Sequence, residues 1–204
     1  MPAADMTLIS YDTLQATPWK NGGGVTRELA CWPDGASFDN FVWRISIADV
    51  HQSGPVSRFP GIDRVITLLE GDGMHLHFAQ GDTHALTQTL MPYRFCGEES
   101  LDAQLVGTPS RDFNLMLRRD AACGEVEVRR TGGSFRHPHP DEQGRVTLLL
   151  FCVTGHWQVS DGSHAGHILH SGDTLLLENV SGQIDVTDLC AESVLVCVHI
   201  TVLP

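Results

Sequence analysis

Apolar and polar residues alternate with a period of two along most of the chain, in short runs closed by turn residues. Phe41, Trp43, Ile45 and Ile47 fall on one face of a predicted strand, leaving Arg44 and Ser46 on the other. Pro33-Asp34-Gly35 signals the hairpin before it. A strand over 64–70, a Gly71-Asp72-Gly73 turn and a strand over Met74–Phe78 follow, and in the last of these His75 and His77 alternate with Met74, Leu76 and Phe78. A Gly81-Asp82 turn leads to a strand over 84–90, and Phe113, Leu115 and Leu117 then alternate with Asn114, Met116 and Arg118. No segment holds a helical period beyond a turn or two, so the pattern predicts an all-β protein.

The second half repeats this plan more sparsely. Residues 146–153 are nearly continuous apolar, the signature of a strand covered on both faces. Gly155 precedes a strand over His156–Ser160, Ser171-Gly172-Asp173 opens one over 174–177, and Val194, Val196, Val198, Ile200 and Val202 share a face of a long final strand. The stretch 130–144, rich in Gly, Pro, His and charge, reads as a linker. Two rounds of short strands joined by tight turns predict two jelly-roll-like β-barrels, one over 1–120 and one over 121–204, with strand exchange between the halves open.

Length and charge narrow the function classes. At 204 residues the chain buries a core without metals or cross-links. A net charge of −12 with no basic run longer than two residues excludes the electrostatic footprint of a nucleic-acid binder. No apolar run approaches the roughly 18 residues of a membrane span, and MPAADMTLISYDT has neither a basic nor an apolar leader region. With six cysteines and no CxxC pair, the reading is a soluble cytoplasmic protein whose cysteines are reduced core residues.

The chain's only lysine, Lys20, stands beside a glycine run in Trp19-Lys20-Asn21-Gly22-Gly23-Gly24. A phosphate loop would place the lysine after the last glycine and a helix behind it, and neither holds. Two readings remain: an anion-binding backbone nest with Lys20 and Arg27 nearby, or a turn leading into a strand.

His75 and His77 share one strand face, the geometry of two metal ligands, but no Glu follows to supply a third, so they are weak metal candidates. His137, His139 and Glu142, and the spaced trio His164, His167 and His170, read as surface-loop residues. There is no G-x-S-x-G, and Cys152 and Cys197 have no adjacent base. The stronger constellation is polar residues on strands. If Arg44, Ser46, Arg64, Asn114 and Met116 line a barrel interior, guanidinium and amide groups converge on a cavity suited to a carboxylate. If those faces are open to solvent, they carry no site, and periodicity does not choose. Asp112 then simply pairs with an arginine.

The blocks Trp19-Lys20-Asn21-Gly22-Gly23-Gly24 with Thr26-Arg27-Glu28, Trp43-Arg44-Ile45-Ser46-Ile47-Ala48, Gly54-Pro55 with Ser57, Phe59-Pro60-Gly61-Ile62-Asp63-Arg64, and Asp112-Phe113-Asn114-Leu115-Met116 resemble, in order, those of the HutD/Ves family. The resemblance implies a bicupin, two cupin barrels in one chain, without the usual metal-binding histidine pattern and with no cofactor. It implies a link to histidine-utilisation operons, acting by sensing a small anionic metabolite such as N-formylglutamate or urocanate. The residues expected at the ligand are Trp19, Lys20, Asn21, Arg27, Arg44, Ser46, Phe59, Arg64, Asn114 and Met116, with the second half structural and a homodimer left open. The competing readings are a metal-dependent cupin enzyme acting on a small carboxylate, using His75 and His77, and a protein-interaction module with no small ligand.

Overall fold

The computed structural model of the chain describes residues 5–137, 145–162 and 166–203. In chain order its strands are β1 (Asp5–Ser10), β2 (Thr17–Pro18), β3 (Gly24–Trp32), β4 (Trp43–Val50), β5 (Gly54–Pro55), β6 (Ile62–Glu70), β7 (Met74–Phe78), β8 (Thr83–Leu86), β9 (Tyr93–Cys96), β10 (Leu101–Leu105) and β11 (Ser110–Arg118). They continue with β12 (Ala122–Arg129), β13 (Gly133–His137), β14 (Arg145–Thr154), β15 (His156–Ser160), β16 (His167–His170), β17 (Asp173–Glu178), β18 (Gly182–Asp188) and β19 (Val194–Val202). One 3-10 turn, Tyr11–Thr13, is the only helical element among the described residues. This is the all-β architecture that the alternation predicts.

The chain forms two compact units, Leu14–Asp120 on one hand and Met1–Thr13 with Ala121–Pro204 on the other. Strand β1 pairs antiparallel with β17 along its whole length, Asp5 opposite Glu178 to Ser10 opposite Asp173, so the N-terminal strand completes the later unit's sheet. The earlier unit thus starts at residue 14 and not at residue 1.

In the unit Leu14–Asp120, a six-stranded sheet, β2-β3-β4-β11-β6-β9, faces a four-stranded one, β5-β10-β7-β8. Their inner faces meet in one core. Ala48, Val50, Ile66, Leu68 and Phe95 from the first sheet pack on Met74, Leu76, Phe78, Leu86, Leu101 and Ala103 from the second. Because side chains alternate along a strand, this fixes every other residue of β4, β6 and β11 as interior. The opposite face of the larger sheet carries Trp43, Ile45, Ile47, Phe113, Leu115 and Leu117, which are also buried.

In the other unit, the five-stranded sheet β1-β17-β14-β19-β12 faces the four-stranded β13-β18-β15-β16. Its core cluster is apolar, with Leu148, Leu150, Cys152, Leu175, Leu177, Leu195 and Cys197 packed on Phe135, Trp157, Val159, Leu169, Ile184 and Val186, while His199 and Arg129 reach the Phe135 ring at one end. Strand β14 is buried at every position from Val146 to Cys152, as its unbroken apolar run requires.

Two expectations need correction. Part of the predicted linker is a strand: β13 pairs with β18, placing Phe135 opposite Ile184 in the core, where its ring burial outweighs the turn-rich surroundings. And only Cys31, Cys152 and Cys197 are core cysteines, while Cys96, Cys123 and Cys190 are exposed; all six are free thiols. His139, Glu142 and His164 lie outside the described residues.

Candidate functional site

Strands β4, β11 and β6 lie side by side in the unit Leu14–Asp120, and their register stacks the interior residues in three rows. Met116 lies between Arg44 and Arg64, Asn114 between Ser46 and Ile66, and Asp112 between Ala48 and Leu68. From β3, Glu28 extends the middle row beside Ser46, and Thr26 the third beside Ala48; from β9, Phe95 flanks Arg64. The middle of this barrel wall is therefore polar.

Arg64 is 9% exposed, and its Nη2 donates to Asn114 Oδ1 at 2.9 Å. Its Nε is buried with no hydrogen-bond partner, and among the described residues no carboxylate lies within ion-pair distance of it. Its guanidinium instead sits over two rings, 5.0 Å from the Phe95 centroid and 5.8 Å from that of Phe59. Burial lowers its pKa to about 10, the neighbouring Arg44 charge adding to the effect and Asp112 opposing it, so it remains charged at neutral pH. A buried cation without a counter-ion is costly, and it marks a place where an anion would be strongly favoured.

Arg44 is the second cation of this group. Its Nε donates to Glu28 Oε2 at 2.6 Å, its Nη1 to Ser46 Oγ at 3.2 Å, and its guanidinium lies 4.7 Å from the Phe38 ring centroid. Phe38, 57% exposed, in turn packs 5.7 Å from Phe59. The two arginines are thus rimmed by Phe38 and Phe59 and floored by Met116, which clusters with Phe41, Ile62 and Phe59.

Trp19 joins from the glycine-rich turn. Its indole packs against the interior cluster, and Nε1 donates to Thr26 Oγ1 at 2.8 Å. The glycines serve that packing. A Cβ at Gly24 would drive into the Asp49 carbonyl oxygen and the Trp19 ring, Gly22 has φ +71°, and Gly23 O accepts from the amides of His51 and Gln52 at 2.8 and 3.1 Å. Of the two readings of this run, the turn is the one with visible bonds: Trp19 N donates to Gly24 O at 2.9 Å, and Gly23 N donates to Asn21 Oδ1 at 3.0 Å.

The arrangement brings together Arg44, Ser46, Phe59, Arg64, Asn114 and Met116, with Trp19 on the same interior. Three of the expected residues stand elsewhere. Lys20 is exposed on the turn, Asn21 spends its carbonyl on Gly23, and Arg27 lies on the opposite sheet face, paired with Asp49 at 2.7 Å. Asp49 also holds Arg111 at 2.7 Å, and Arg111 reaches Glu70 at 3.0 Å, so Arg27 belongs to an ion-pair chain. Asp112 is 1% exposed and forms no salt bridge among the described residues, against the expectation that it pairs with an arginine. The residues that sequence reasoning left out of the site are Phe38, Phe95, Glu28 and Asp112.

The cupin fold commonly holds a metal inside the barrel, but the residues here do not fit one. His75 and His77 alternate with the core residues Met74, Leu76 and Phe78, so they point out of the barrel. His77 bonds Thr83 Oγ1 through Nδ1 at 3.1 Å and Gln104 Oε1 through Nε2 at 3.0 Å, which occupies both ring nitrogens. Among the described residues no three His, Cys, Asp or Glu side chains are grouped to hold an ion.

A family model described as HutD matches residues 11–194. The chain belongs to the HutD family. Protein Ves of Escherichia fergusonii is 36% identical over 178 residues, covering 80% of this HutD-family chain and 87% of that protein. The structure of HutD from Pseudomonas fluorescens in a formate condition superposes with a TM-score of 0.83, with 28% identity over 98% of this chain and 100% of that one. Oxalate decarboxylase from Lactobacillus farciminis, in a formate complex, shares the fold alone: TM-score 0.61 at 10% identity, covering 97% of this chain and 86% of the other. The two facing-sheet units of this HutD-family protein are therefore cupin-like, and no helix among the described residues is long and apolar enough to cross a membrane.

Proposed function

We propose that the unit Leu14–Asp120 binds a small carboxylate metabolite through Arg64, without a metal, and that the protein acts in the cytoplasm as a sensor in histidine utilisation. The observation that carries this reading is the Arg64 guanidinium, buried, lacking a carboxylate partner and keeping Nε unpaired. A carboxylate laid against Nε would supply the missing acceptor and counter-charge in one step. Asn114 holds the guanidinium in place, Arg44 adds a second positive charge, and Phe59, Phe38 and Met116 offer apolar cover for the ligand's carbon skeleton. Lys20, on the exposed turn, contributes long-range attraction only.

The link to histidine degradation rests on family membership and on the name of the Pseudomonas fluorescens relative. N-formylglutamate and urocanate are the candidate ligands on that basis. A thermal-shift panel of histidine-degradation intermediates tests the reading. At a hundredfold excess over Kd, a ligand specific for the folded state adds about 2.7 kcal/mol of stability. Stabilisation of the wild type by at least one acid, absent from Arg64→Met, is the expected result; no stabilisation at millimolar concentration by any of them overturns the reading.

A further inference from the structure

The interior of the unit Leu14–Asp120 holds a second unpaired polar atom, Asp112 Oδ1, of opposite character to Arg64 Nε. Asp112 stands between Ala48 and Leu68, both members of the interior core, so its side chain projects to the same side of the sheet as Asn114 and Met116. Its other oxygen accepts from Ser110 Oγ at 3.5 Å, the outer limit of a hydrogen bond. A carboxyl this buried ordinarily has its acceptors filled, and leaving one bare costs on the order of 1–3 kcal/mol.

The two unpaired atoms belong to side chains on one interior face of the sheet. Arg64 Nη2 bonds Asn114, and Asn114 and Asp112 are next neighbours on the same face of β11, about 7 Å apart along the strand. An extended planar acid reaches a comparable distance from its carboxylate to a group on the far side of its ring. Flat surfaces stand beside Arg64: Phe95 lies under it, Tyr93 stacks beside Phe95 with centroids 6.1 Å apart and planes at 18°, and His84 stacks on Tyr93 at 3.5 Å.

We propose that this interior reads both ends of one ligand: a small planar acid whose carboxylate rests on Arg64 and whose N–H, from an amide or an azole ring, donates to Asp112 Oδ1. Arg64 supplies charge recognition common to all carboxylates, and Asp112 rejects acids whose far end has no donor. The inference rests on the carboxylate reading of Arg64 and adds the class of acid. Discrimination of this kind is strong, because an acid lacking the donor leaves a buried acceptor unpaired.

Urocanate and trans-cinnamate make the test, since both carry a propenoate on a planar ring and only urocanate has a ring N–H. In calorimetry at pH 8 on the full-length protein, urocanate is expected to bind at least tenfold more tightly than cinnamate. Asp112→Ala should reduce that ratio to below twofold, by weakening urocanate and relieving the rejection of cinnamate, and Asp112→Asn, which keeps an acceptor oxygen, should retain part of the preference. Equal binding of the two acids by the wild type refutes the donor reading and leaves the carboxylate reading standing, whereas binding of neither overturns this proposal and leaves the carboxylate reading to the wider panel of acids. A preference that survives Asp112→Ala assigns the discrimination to another residue and overturns the proposal. Should Asp112→Ala not fold, proton release decides. Asp49 on β4 and Arg64 on β6 are the charged groups acting on Asp112. Urocanate binding at pH 7, measured in two buffers of different ionisation enthalpy, should release protons from the wild type in excess of those released from Asp112→Asn; equal release refutes the proposal.

Discussion

Replacing Asp112 by Asn should make the ligand-free protein more stable at alkaline pH and leave it unchanged at acid pH. Asp112 is 1% exposed, and burial pushes its pKa from an ordinary 3.8 up to about 7; the Ser110 bond opposes the rise, Asp49 adds to it and Arg64 opposes it. A folded-state pKa raised above the unfolded one means that the folded protein binds the proton more tightly. The stability this contributes is fully present below about pH 4 and is lost as pH rises through about 7. A rise of some three units corresponds to a ceiling of about 4 kcal/mol at 1.36 kcal/mol per unit, and relaxation around the charge brings the expected loss to about 2–4 kcal/mol. Asn has the same shape and does not titrate, so it removes the loss. Urea unfolding of both proteins at constant ionic strength from pH 4.5 to 8.5 measures the difference directly. The variant should stand above the wild type by about 1 kcal/mol at pH 4.5, and the curves should diverge progressively to the full amount at pH 8.5. Parallel curves across the range would show that Asp112 is not a buried, unpaired carboxyl and would refute the reasoning.

Three further outcomes are expected. Arg64→Met replaces a buried guanidinium that has no counter-ion with an apolar chain of similar length, so stability by urea unfolding should fall by no more than about 1 kcal/mol while stabilisation by carboxylates disappears; a loss above about 3 kcal/mol would mean that Arg64 is paired. Gly24→Ala should destabilise by about 1–3 kcal/mol in the same assay, because its Cβ meets the Asp49 carbonyl and the Trp19 ring, and it should redshift Trp19 fluorescence as the indole loosens. Lys20→Gln should alter stability by less than about 0.5 kcal/mol and acid affinity by under threefold at physiological salt, since its ammonium is exposed; a tenfold loss of affinity would place Lys20 in contact with ligand.

Much of this was legible in the sequence, for a simple reason. Strand side chains alternate, so once Trp43, Ile45 and Ile47 are assigned to one face, Arg44 and Ser46 must share the other, and the same holds for Asn114 and Met116 on β11. Which face is interior was not legible, because both faces of this sheet are buried and alternation alone carries no sign. The core contacts of Ala48, Ile66 and Leu68 supply that sign. Arg27 was misjudged for the same reason: sequence proximity to the glycine run suggested the site, but its register opposite Ile47 puts it on the other face, where Asp49 takes it up. The bulge between Glu28 and Ala30 further shifts the pairing of β3 after that point, and no local pattern announces it.

Other residues depended on long-range pairing. Phe38 and Phe95 flank the arginines from a loop and from β9, and β9 reaches Arg64 only through its pairing with β6. In sequence Asp112 looks like half of an ion pair, with six arginines before it, whereas the fold directs Arg27 and Arg111 to Asp49 and leaves Asp112 inside. His77 of β7 is ambiguous until β8 and β10 supply Thr83 and Gln104 as its partners.

The central claim is that the Arg64 guanidinium accepts a carboxylate at Nε. Two-dimensional nitrogen-proton NMR of arginine side chains, with the Arg64 Nε–H signal identified by its loss in Arg64→Lys, follows that atom during a urocanate or N-formylglutamate titration. The account predicts a saturable downfield shift of this Nε–H proton, larger than that of any other arginine. An Arg64 Nε–H signal that stays in place while the acid binds would contradict it.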